Sequence, residues 1–180
     1  MTAFIHKTSG LEQFERLQFA RGDVLRFTDV ESAVSGQDAV LSALGRSGSP
    51  NPVTFPGTKN IVVSMDAAGV QRLIVESAFG AGESAKEISI LDRLFVRGLI
   101  LRSSFRDKDL MEACIEKSGL NWTIVRPPRL TNGARRESYR TGERIPLKIS
   151  SGISRADVAD FMLNQVEGKE YVSKKPSIGY

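Results

Sequence analysis

The sequence predicts an α/β fold in which helices cover both faces of a parallel sheet. Short apolar runs rich in β-branched and aromatic residues alternate with stretches of helical periodicity along the chain. Such alternation favours parallel strands joined by helical crossovers. The chain has 180 residues, of which 41% are hydrophobic and 26% charged, and this composition is typical of a globular protein. We therefore expect a single domain over residues 1–180.

Six apolar runs are the predicted strands. The run DAVLSAL at 38–44 is apolar at nearly every position, as expected for a strand buried on both faces of a sheet. The others combine β-branched and aromatic residues between turn-forming residues. In chain order, the predicted strands cover residues 2–6, 17–20, 38–44, 72–76, 121–126 and 170–173.

The predicted helices have recognisable ends. Thr28 and Glu31 are spaced as a capping box, and the helix that they begin ends before Gly36. Gly69 ends the second helix, and Ser154 has the position of a cap for the last one. The predicted helices cover residues 28–35, 57–68, 88–117 with an interruption near Gly98 or 103–104, and the segment that follows Ser154.

The single cysteine and single histidine exclude several kinds of site. Cys114 cannot form an internal disulfide, and a Cys/His zinc site needs about four such ligands, so we expect no metal site. Cys114 lies within a predicted helix and is interpreted as a small apolar residue. No apolar stretch reaches the ~18 residues of a membrane span, and residues 1–11 lack the pattern of a secretion signal. We therefore expect a cytoplasmic protein with no membrane partner.

The charge distribution is uneven. Lys and Arg total 25 against 21 Asp and Glu, a net charge of +4, and many of the basic residues lie between 126 and 148. An excess of this size suits many anionic partners, nucleotides included. Nucleic-acid binding by this segment is the least favoured alternative, because Tyr139 is its only aromatic residue. We expect no nucleic-acid partner.

Five fragments in order resemble the atypical short-chain dehydrogenase/reductase family. These are NAD(P)H-binding proteins similar to flavin reductase/biliverdin reductase B and to the NmrA-like proteins. The fragments are GDV (22–24), GQDAVLSALG (36–45), AAGVQRLIVESAFGAG (67–82), EKSGLNWTIVRPPRLTNG (116–133) and ISRADVADFML (153–163). The resemblance covers nearly all of the chain and implies a Rossmann-like sheet, whose ligands bind outside the carboxyl ends of the strands.

The resemblance implies an adenosine end of a cofactor site. Asp23 and Val24 would lie near the adenine, and Asp23 would accept a hydrogen bond from its amino group. The alternative for Asp23 is a capped turn. The backbone of Ala43, Leu44 and Gly45 would lie against the adenine ribose.

The resemblance also implies a nicotinamide end. Ser77 would face the nicotinamide and the substrate, or alternatively cap the following loop. Lys108 is the nearest candidate for a ribose contact, or alternatively a solvated helix lysine. Arg126, Pro127 and Pro128 would lie beside the nicotinamide ring.

Two departures from the family pattern affect the chemistry. No Tyr-x-x-x-Lys pair precedes the segment SGL, so hydride transfer would depend on alignment of cofactor and substrate. Arg129 stands where the biliverdin/flavin reductase relatives carry a histidine, and an arginine could instead bind an anion. The segment His6–Ser9, which includes Lys7, contains no acid, and this favours NADP, with NAD as the second choice.

The glycine-rich turn that binds the pyrophosphate is not found in the expected place. In dinucleotide-binding folds it follows the first strand, whereas residues 2–6 resemble the second strand of the family. We therefore expect an N-terminally truncated fold. Removing the central strand would separate its neighbours by about 9.6 Å, twice the ~4.8 Å strand spacing. Residues 2–6 could then pair with 38–44, or another chain could fill the gap. In the third alternative, which we favour, Met1 is an internal methionine of a longer protein.

The sequence therefore predicts an NAD(P)H-binding oxidoreductase. In the full-length form it would transfer a hydride to a small carbonyl or conjugated substrate. The alternative is a non-catalytic NmrA-like dinucleotide sensor. Its partner would be a small molecule, and it would act as a monomer or homodimer.

Overall fold

The computed structural model describes residues 1–6, 15–45, 52–94 and 101–180. The predicted cofactor residue Lys7 and the helix interruption predicted near Gly98 lie outside the described residues. The strands are β1 (Thr2–Ile5), β2 (Gln18–Arg21), β3 (Ala39–Ser42), β4 (Arg72–Glu76), β5 (Asn121–Val125), β6 (Arg129–Thr131), β7 (Arg140–Gly142), β8 (Gly152–Ser154) and β9 (Ser177–Gly179). The helices are α1 (Phe27–Val34), α2 (Thr54–Ala68), a 3-10 helix (Gly82–Lys86), α3 (Ile90–Asp92), α4 (Arg102–Glu116) and α5 (Arg155–Asn164).

The central sheet is parallel, in the order β3-β4-β5. Its register places Ser42 opposite Val75 and Val75 opposite Ile124. Because parallel strands run in one direction, the carboxyl ends of all three strands lie along the same edge. Parallel strands β6 and β8 and antiparallel strands β7 and β9 form two small additional sheets.

Two strands form a separate sheet. β1 and β2 are parallel, with Ile5 opposite Arg21. Among the described residues, β1 hydrogen-bonds only to β2, and β3 only to β4. The pairing of β1 with β3 that the sequence leaves open therefore does not occur.

Hydrophobic clusters cover both faces of the central sheet. Leu73 and Val75 of β4 point into a cluster that includes Met65 of α2 and Met111 of α4. The residue between them, Ile74, belongs to a second cluster with Phe161 of α5. Side chains alternate between the faces of a strand, so the two clusters lie on opposite faces. The predicted α/β fold, with parallel strands and helices, is confirmed.

Two helix starts differ from the prediction. The predicted capping box at Thr28 is wrong, because α1 begins at Phe27 and has no side-chain cap. Helix α2 begins at Thr54, three residues earlier than expected. The carboxylate of Asp107 on α4 accepts hydrogen bonds of 2.9 Å from the backbone N–H groups of Thr54 and Phe55. A cap supplied from 52 residues away cannot be read from local sequence.

The helical stretch predicted at 88–117 with an interruption contains two separate helices, α3 and α4. One further difference follows from tertiary packing. The predicted strand at 170–173 is a turn, and β9 lies later. Tyr171 is buried against Phe161, with ring centroids 5.7 Å apart, and its carbonyl accepts a 2.7 Å bond from the Thr123 hydroxyl. Packing of the Tyr171 ring therefore explains the apolar run.

The predicted cap at Ser154 is confirmed, since its hydroxyl oxygen accepts a 3.0 Å bond from Asp157 N–H. In the part of the chain that the structure describes, no helix is long and apolar enough to cross a membrane.

Candidate functional site

The carboxyl edge of the central sheet collects most of the predicted site residues. Ala43, Leu44 and Gly45 follow β3, Ser77 follows β4, and Arg126 follows β5. The register described above makes these positions neighbours along the edge. In open α/β sheets ligands bind at this edge.

His6 and Asp23 lie together at the ends of β1 and β2. His6 Nε2 is 3.6 Å from Asp23 Oδ2, with the side chains 63% and 37% exposed. Asp23 also closes a local turn, because its Oδ1 accepts a 2.9 Å bond from Leu25 N–H. The backbone N–H of Asp23 donates to Asp29 Oδ2 at 2.9 Å. The turn role that the sequence leaves open for Asp23 is therefore present, and its second oxygen, Oδ2, lies beside His6.

Val24 and Leu44 pack on the start of α2. A Cβ atom at Gly57 would lie 2.9 Å from Val24 Cγ2 and 3.0 Å from Leu44 Cδ1. The side chains of Val24 and Leu44 therefore hold α2 against both sheets. Ala43 and Gly45 beside them are exposed, so backbone at this edge is accessible to a ligand.

Ser77 is buried, with 1% of its surface exposed. Its N–H donates to the Val125 carbonyl at 2.7 Å, which fixes it beside the end of β5. Its hydroxyl donates to Glu112 Oε1 at 2.5 Å. The hydroxyl proton is thus bound by a carboxylate of α4, and Ser77 joins β4 to that helix.

Arg126 lies at the centre of an ion cluster that comprises Glu83, Glu112, Glu116, Arg126 and Lys175. Arg126 Nη2 donates to Glu112 Oε2 at 2.5 Å, and Arg126 Nη1 donates to Glu83 Oε1 at 3.0 Å. Lys175 bridges Glu83 and Glu116 at 2.9 Å each. Arg126 and Glu112 are only 2% exposed. In this arrangement the guanidinium binds carboxylates of the protein itself.

The ion cluster shifts the pKa values of Glu83 and Arg126. Burial alone would raise the pKa of Glu83, but hydrogen bonds from Arg126 and Lys175 lower it to about 2. Burial opposes the charge of Arg126 as well, yet the two glutamates raise its pKa further above the usual range. Glu83 and Arg126 are therefore both charged near neutral pH.

Gly82 permits the close approach that the ion cluster requires. Its φ is +53°, and a Cβ atom there would lie 2.5 Å from Glu112 Oε2 and 2.7 Å from Arg126 Nη2. Its N–H donates to Asp109 Oδ1 at 2.7 Å. Only glycine combines this left-handed conformation with the space.

Lys108 lies at the end of β4, where its Nζ donates to the Ser77 carbonyl at 3.0 Å. Burial lowers the pKa of Lys108, against the opposing charges of Glu76, Glu112 and Asp107. Burial raises the pKa of Glu76, against the positive charges of Lys108 and Arg155. An ammonium has three N–H donors, so two remain for other acceptors.

Comparison with known proteins decides the family of this fold. The model of a family described as NAD(P)H-binding matches residues 1–169. The chain belongs to this NAD(P)H-binding family. The predicted membership of an NAD(P)H-binding family is thereby confirmed.

Relatives and structural neighbours of this chain have low sequence identity to it. Protein TIC 62, chloroplastic, of Pisum sativum is 23% identical over 96% of this chain and 32% of the relative, so the chain spans about a third of that protein. The oxidoreductase ylbE of Lactococcus lactis superimposes with a TM-score of 0.81 at 18% identity, covering 99% of this chain and 78% of the other.

Two further solved structures carry functional names. A short-chain dehydrogenase/reductase of Veillonella parvula, in complex with NADP, has a TM-score of 0.76 at 17% identity, covering 93% of this chain and 74% of that one. ChuY of Escherichia coli O157:H7, named an anaerobillin reductase, has a TM-score of 0.75 at 20% identity, covering 91% and 75%. At these identities the likeness shows the fold.

The residues of this family member fit part of a dinucleotide. Exposed backbone at Ala43 and Gly45 and the ammonium of Lys108 suit ribose groups. The first amides of α2, which would suit a phosphate, donate to Asp107 instead. Pro127 and Pro128 are buried, and the Pro127 carbonyl accepts a 2.8 Å bond from Phe79 N–H.

The structure adds two positions that the sequence interpretation missed. Glu112 binds Ser77 and Arg126, and Asp107 ties α4 to α2. Glu112 lies four residues after Lys108 and therefore on the same face of α4. The spacing of Lys108 and Glu112 could have indicated from the sequence that Glu112 belongs to the site. No local pattern indicates that Asp107 caps α2. Within the described ranges, no group of three or more His, Cys, Asp or Glu could hold a metal ion.

Proposed function

We propose that this protein is an NADPH-dependent reductase that transfers a hydride to a small carbonyl or conjugated substrate. One observation carries the proposal: Lys108 places a half-buried ammonium at the carboxyl end of β4, bonded to the Ser77 carbonyl at 3.0 Å. In an NAD(P)H-binding fold, this edge is where cofactor and substrate meet.

Lys108 and Ser77 have different roles in this proposal. The cofactor supplies the hydride. The two remaining N–H donors of Lys108 bind ribose hydroxyls or the substrate oxygen, on which negative charge develops. Ser77 is a positioning residue: its carbonyl holds Lys108, and its hydroxyl is held by Glu112 at 2.5 Å.

NADP is the proposed cofactor, with NAD as the alternative. The end of β1 carries His6, and the segment His6–Ser9 contains no acid that would select the NAD ribose. The relative from Veillonella parvula is in complex with NADP, and ChuY is named a reductase. These likenesses support the proposal. We propose a cytoplasmic setting and a small-molecule partner, with the protein as monomer or homodimer.

We also propose that a strand outside residues 1–180 lies between β1 and β3 and carries the glycine-rich turn for the pyrophosphate. Two observations support it. In the described part of the chain, no hydrogen bonds join the β1-β2 pair to β3. Yet Val24, after β2, and Leu44, after β3, contact the same residue, Gly57. A strand paired on both sides would join the two sheets.

NADPH titration tests the proposal. We expect Lys108→Gln to weaken NADPH binding and reduce turnover of quinone or flavin substrates, while Lys117→Gln, an exposed position at the end of α4, changes neither. Equal NADPH binding by both variants and the wild type would remove Lys108 from the site. For the proposed strand, a version of the chain extended upstream should bind NADPH more tightly. Equally tight binding by both lengths would contradict it.

The burial of Ser77 favours a second candidate, a non-catalytic dinucleotide sensor of NmrA-like type. The Ser77 hydroxyl proton is bound by Glu112, and no Tyr-x-x-x-Lys pair precedes the segment SGL to donate another. A sensor would bind NADPH without consuming it across the substrate screen. Turnover that depends on Lys108 would exclude the sensor.

A further inference from the structure

A cleft of about 580 Å³ lies beside the candidate site. Phe79, Ile145, Pro146 and Leu147 form its apolar wall. Small-molecule sites commonly measure ~300–1,000 Å³ and combine apolar walls with a few polar groups. The dimensions therefore suit one small organic molecule.

The cleft shares its walls with the loop that carries Ser77. Phe79 follows Ser77 by two residues and donates its N–H to the Pro127 carbonyl at 2.8 Å. A Cβ atom at Gly80 would contact both Phe105 and Ile149. Phe105 lies one turn before Lys108 on α4. A molecule in the cleft would thus lie along the loop whose other end holds Lys108.

The rim of the cleft is positively charged. Arg144 and Lys148 line it together with one acid, Glu87, so their formal sum is +1. Both basic side chains are exposed. Within residues 1–6, 15–45, 52–94 and 101–180, neither side chain has an ion-pair partner. By contrast, Arg126 and Lys175 are held by glutamates, whereas the two rim cations are available to an external anion.

We propose that this cleft binds an organic anion with an apolar, planar body and a carboxylate at one end. The body packs on Pro146 and Leu147, above the buried Phe79, and the carboxylate binds Arg144 and Lys148. A guanidinium donates two parallel hydrogen bonds to a carboxylate. The inference rests on the proposed function in one respect, namely that such a molecule is the substrate class whose reducible end reaches the Lys108 side.

Binding of a model anion tests the cleft without cofactor or turnover. The probe is 2-naphthoate, and its neutral counterpart is 2-naphthamide. The 180-residue chain is titrated with each, and dissociation constants and amide shifts are recorded by NMR. We expect naphthoate to bind at least about threefold more tightly than naphthamide, as one solvent-exposed ion pair would give. Shifts should centre on residues 79–81 and 144–148.

Charge-removing variants localise the effect. Arg144→Gln and Lys148→Gln should each weaken naphthoate binding about twofold to fivefold and leave naphthamide unchanged. The matched control is Lys169→Gln, since Lys169 is an exposed lysine that does not line the cleft, and it should change neither. Inorganic phosphate at equal concentration should not displace naphthoate, because phosphate lacks the apolar body.

Three results would overturn the inference: equal binding of naphthoate and naphthamide, unchanged naphthoate binding in both rim variants, or displacement by inorganic phosphate. These results are distinct from failure of the proposed function. If naphthoate binds as described while no aromatic carboxylate carrying a carbonyl is reduced with NADPH, the cleft assignment stands and the reductase proposal fails.

Discussion

Replacing Gly82 by alanine tests the packing of the buried pair Glu112 and Arg126. The added Cβ atom would lie 2.5 Å from Glu112 Oε2 and 2.7 Å from Arg126 Nη2. These atoms belong to flexible side chains, but both side chains are 2% exposed and bonded to each other. To make room, the pair must separate or the loop must move.

The expected loss of stability has two parts. Alanine at a left-handed φ costs about 1–2 kcal/mol, of which about 0.4–1 kcal/mol is recovered because alanine restricts the unfolded chain. Complete loss of one partner of a buried ion pair costs about 3–5 kcal/mol. Gly82→Ala displaces the ion pair but does not delete a partner. We therefore expect it to lower the free energy of unfolding by about 2 kcal/mol more than the left-handed backbone alone would.

The chain contains matched controls for the φ effect. Gly36 and Gly119 have φ of +73° and +72°, and a Cβ atom at either would meet nothing within 4 Å. Urea unfolding followed by the fluorescence of Trp122, the single tryptophan, measures all three variants. Trp122 is 8% exposed in the core and therefore reports global unfolding.

The comparison of variants, rather than any single value, decides the outcome. If Gly82→Ala is no less stable than Gly36→Ala and Gly119→Ala, close approach to the ion pair has no energetic consequence. The described role of Gly82 would then be refuted.

Three other predictions concern neighbouring groups. The pKa of Glu83 is lowered to about 2, so its contribution is present above the ordinary pKa near 4.5 and is lost as pH falls toward 2. Glu83→Gln should therefore reduce the fall in urea stability between pH 5 and pH 3, and an unchanged fall would contradict this. Asp107→Ala should lower the free energy of unfolding by about 1–2 kcal/mol, because two amides of α2 lose their acceptor. The control Asp66→Asn, at an exposed position, should leave it nearly unchanged. Equal stabilities of the two variants would refute the capping role of Asp107. Ser77→Ala leaves Glu112 without its hydroxyl donor and should cost about 1–3 kcal/mol by thermal unfolding, a result that full wild-type stability would exclude.

Elements with local signals follow the sequence closely. The strand predicted at 72–76 has the same bounds in the structure. Gly69 ends α2 with a left-handed φ of +71°. Ser154 caps α5 through its own hydroxyl. In each case the determining residues lie within a few positions of the boundary.

Elements whose bounds depend on distant contacts differ from the sequence prediction. The start of α2 depends on Asp107, a residue of another helix. The run near Tyr171 is apolar because its ring packs against Phe161, so the pattern resembles a strand although the backbone turns. An apolar pattern in the sequence indicates that side chains are buried, but it does not show whether the backbone there is a strand or a turn.

In the candidate site, likewise, some residues could be predicted from the sequence and some contacts could not. The resemblance assigned Ser77 to the nicotinamide and Lys108 to a ribose contact, and the structure joins the two residues by a hydrogen bond. The same resemblance assigned Arg126 to the nicotinamide, and that assignment stays a prediction. The carboxylates that surround Arg126 come from α4 and from the 3-10 helix, so their convergence depends on the folded chain.

The separate β1-β2 sheet has a consequence for hydrogen exchange. This sheet is attached to the rest through packing of α1 on α2 and through Val24 on Gly57. In the described residues its amides share no ladder with β3. Its opening therefore breaks apolar contacts but no hydrogen bond of the central sheet. Regions of this kind exchange as separate cooperative units, so amides of β1 and β2 should exchange through a subglobal opening while those of β4 exchange only on global unfolding.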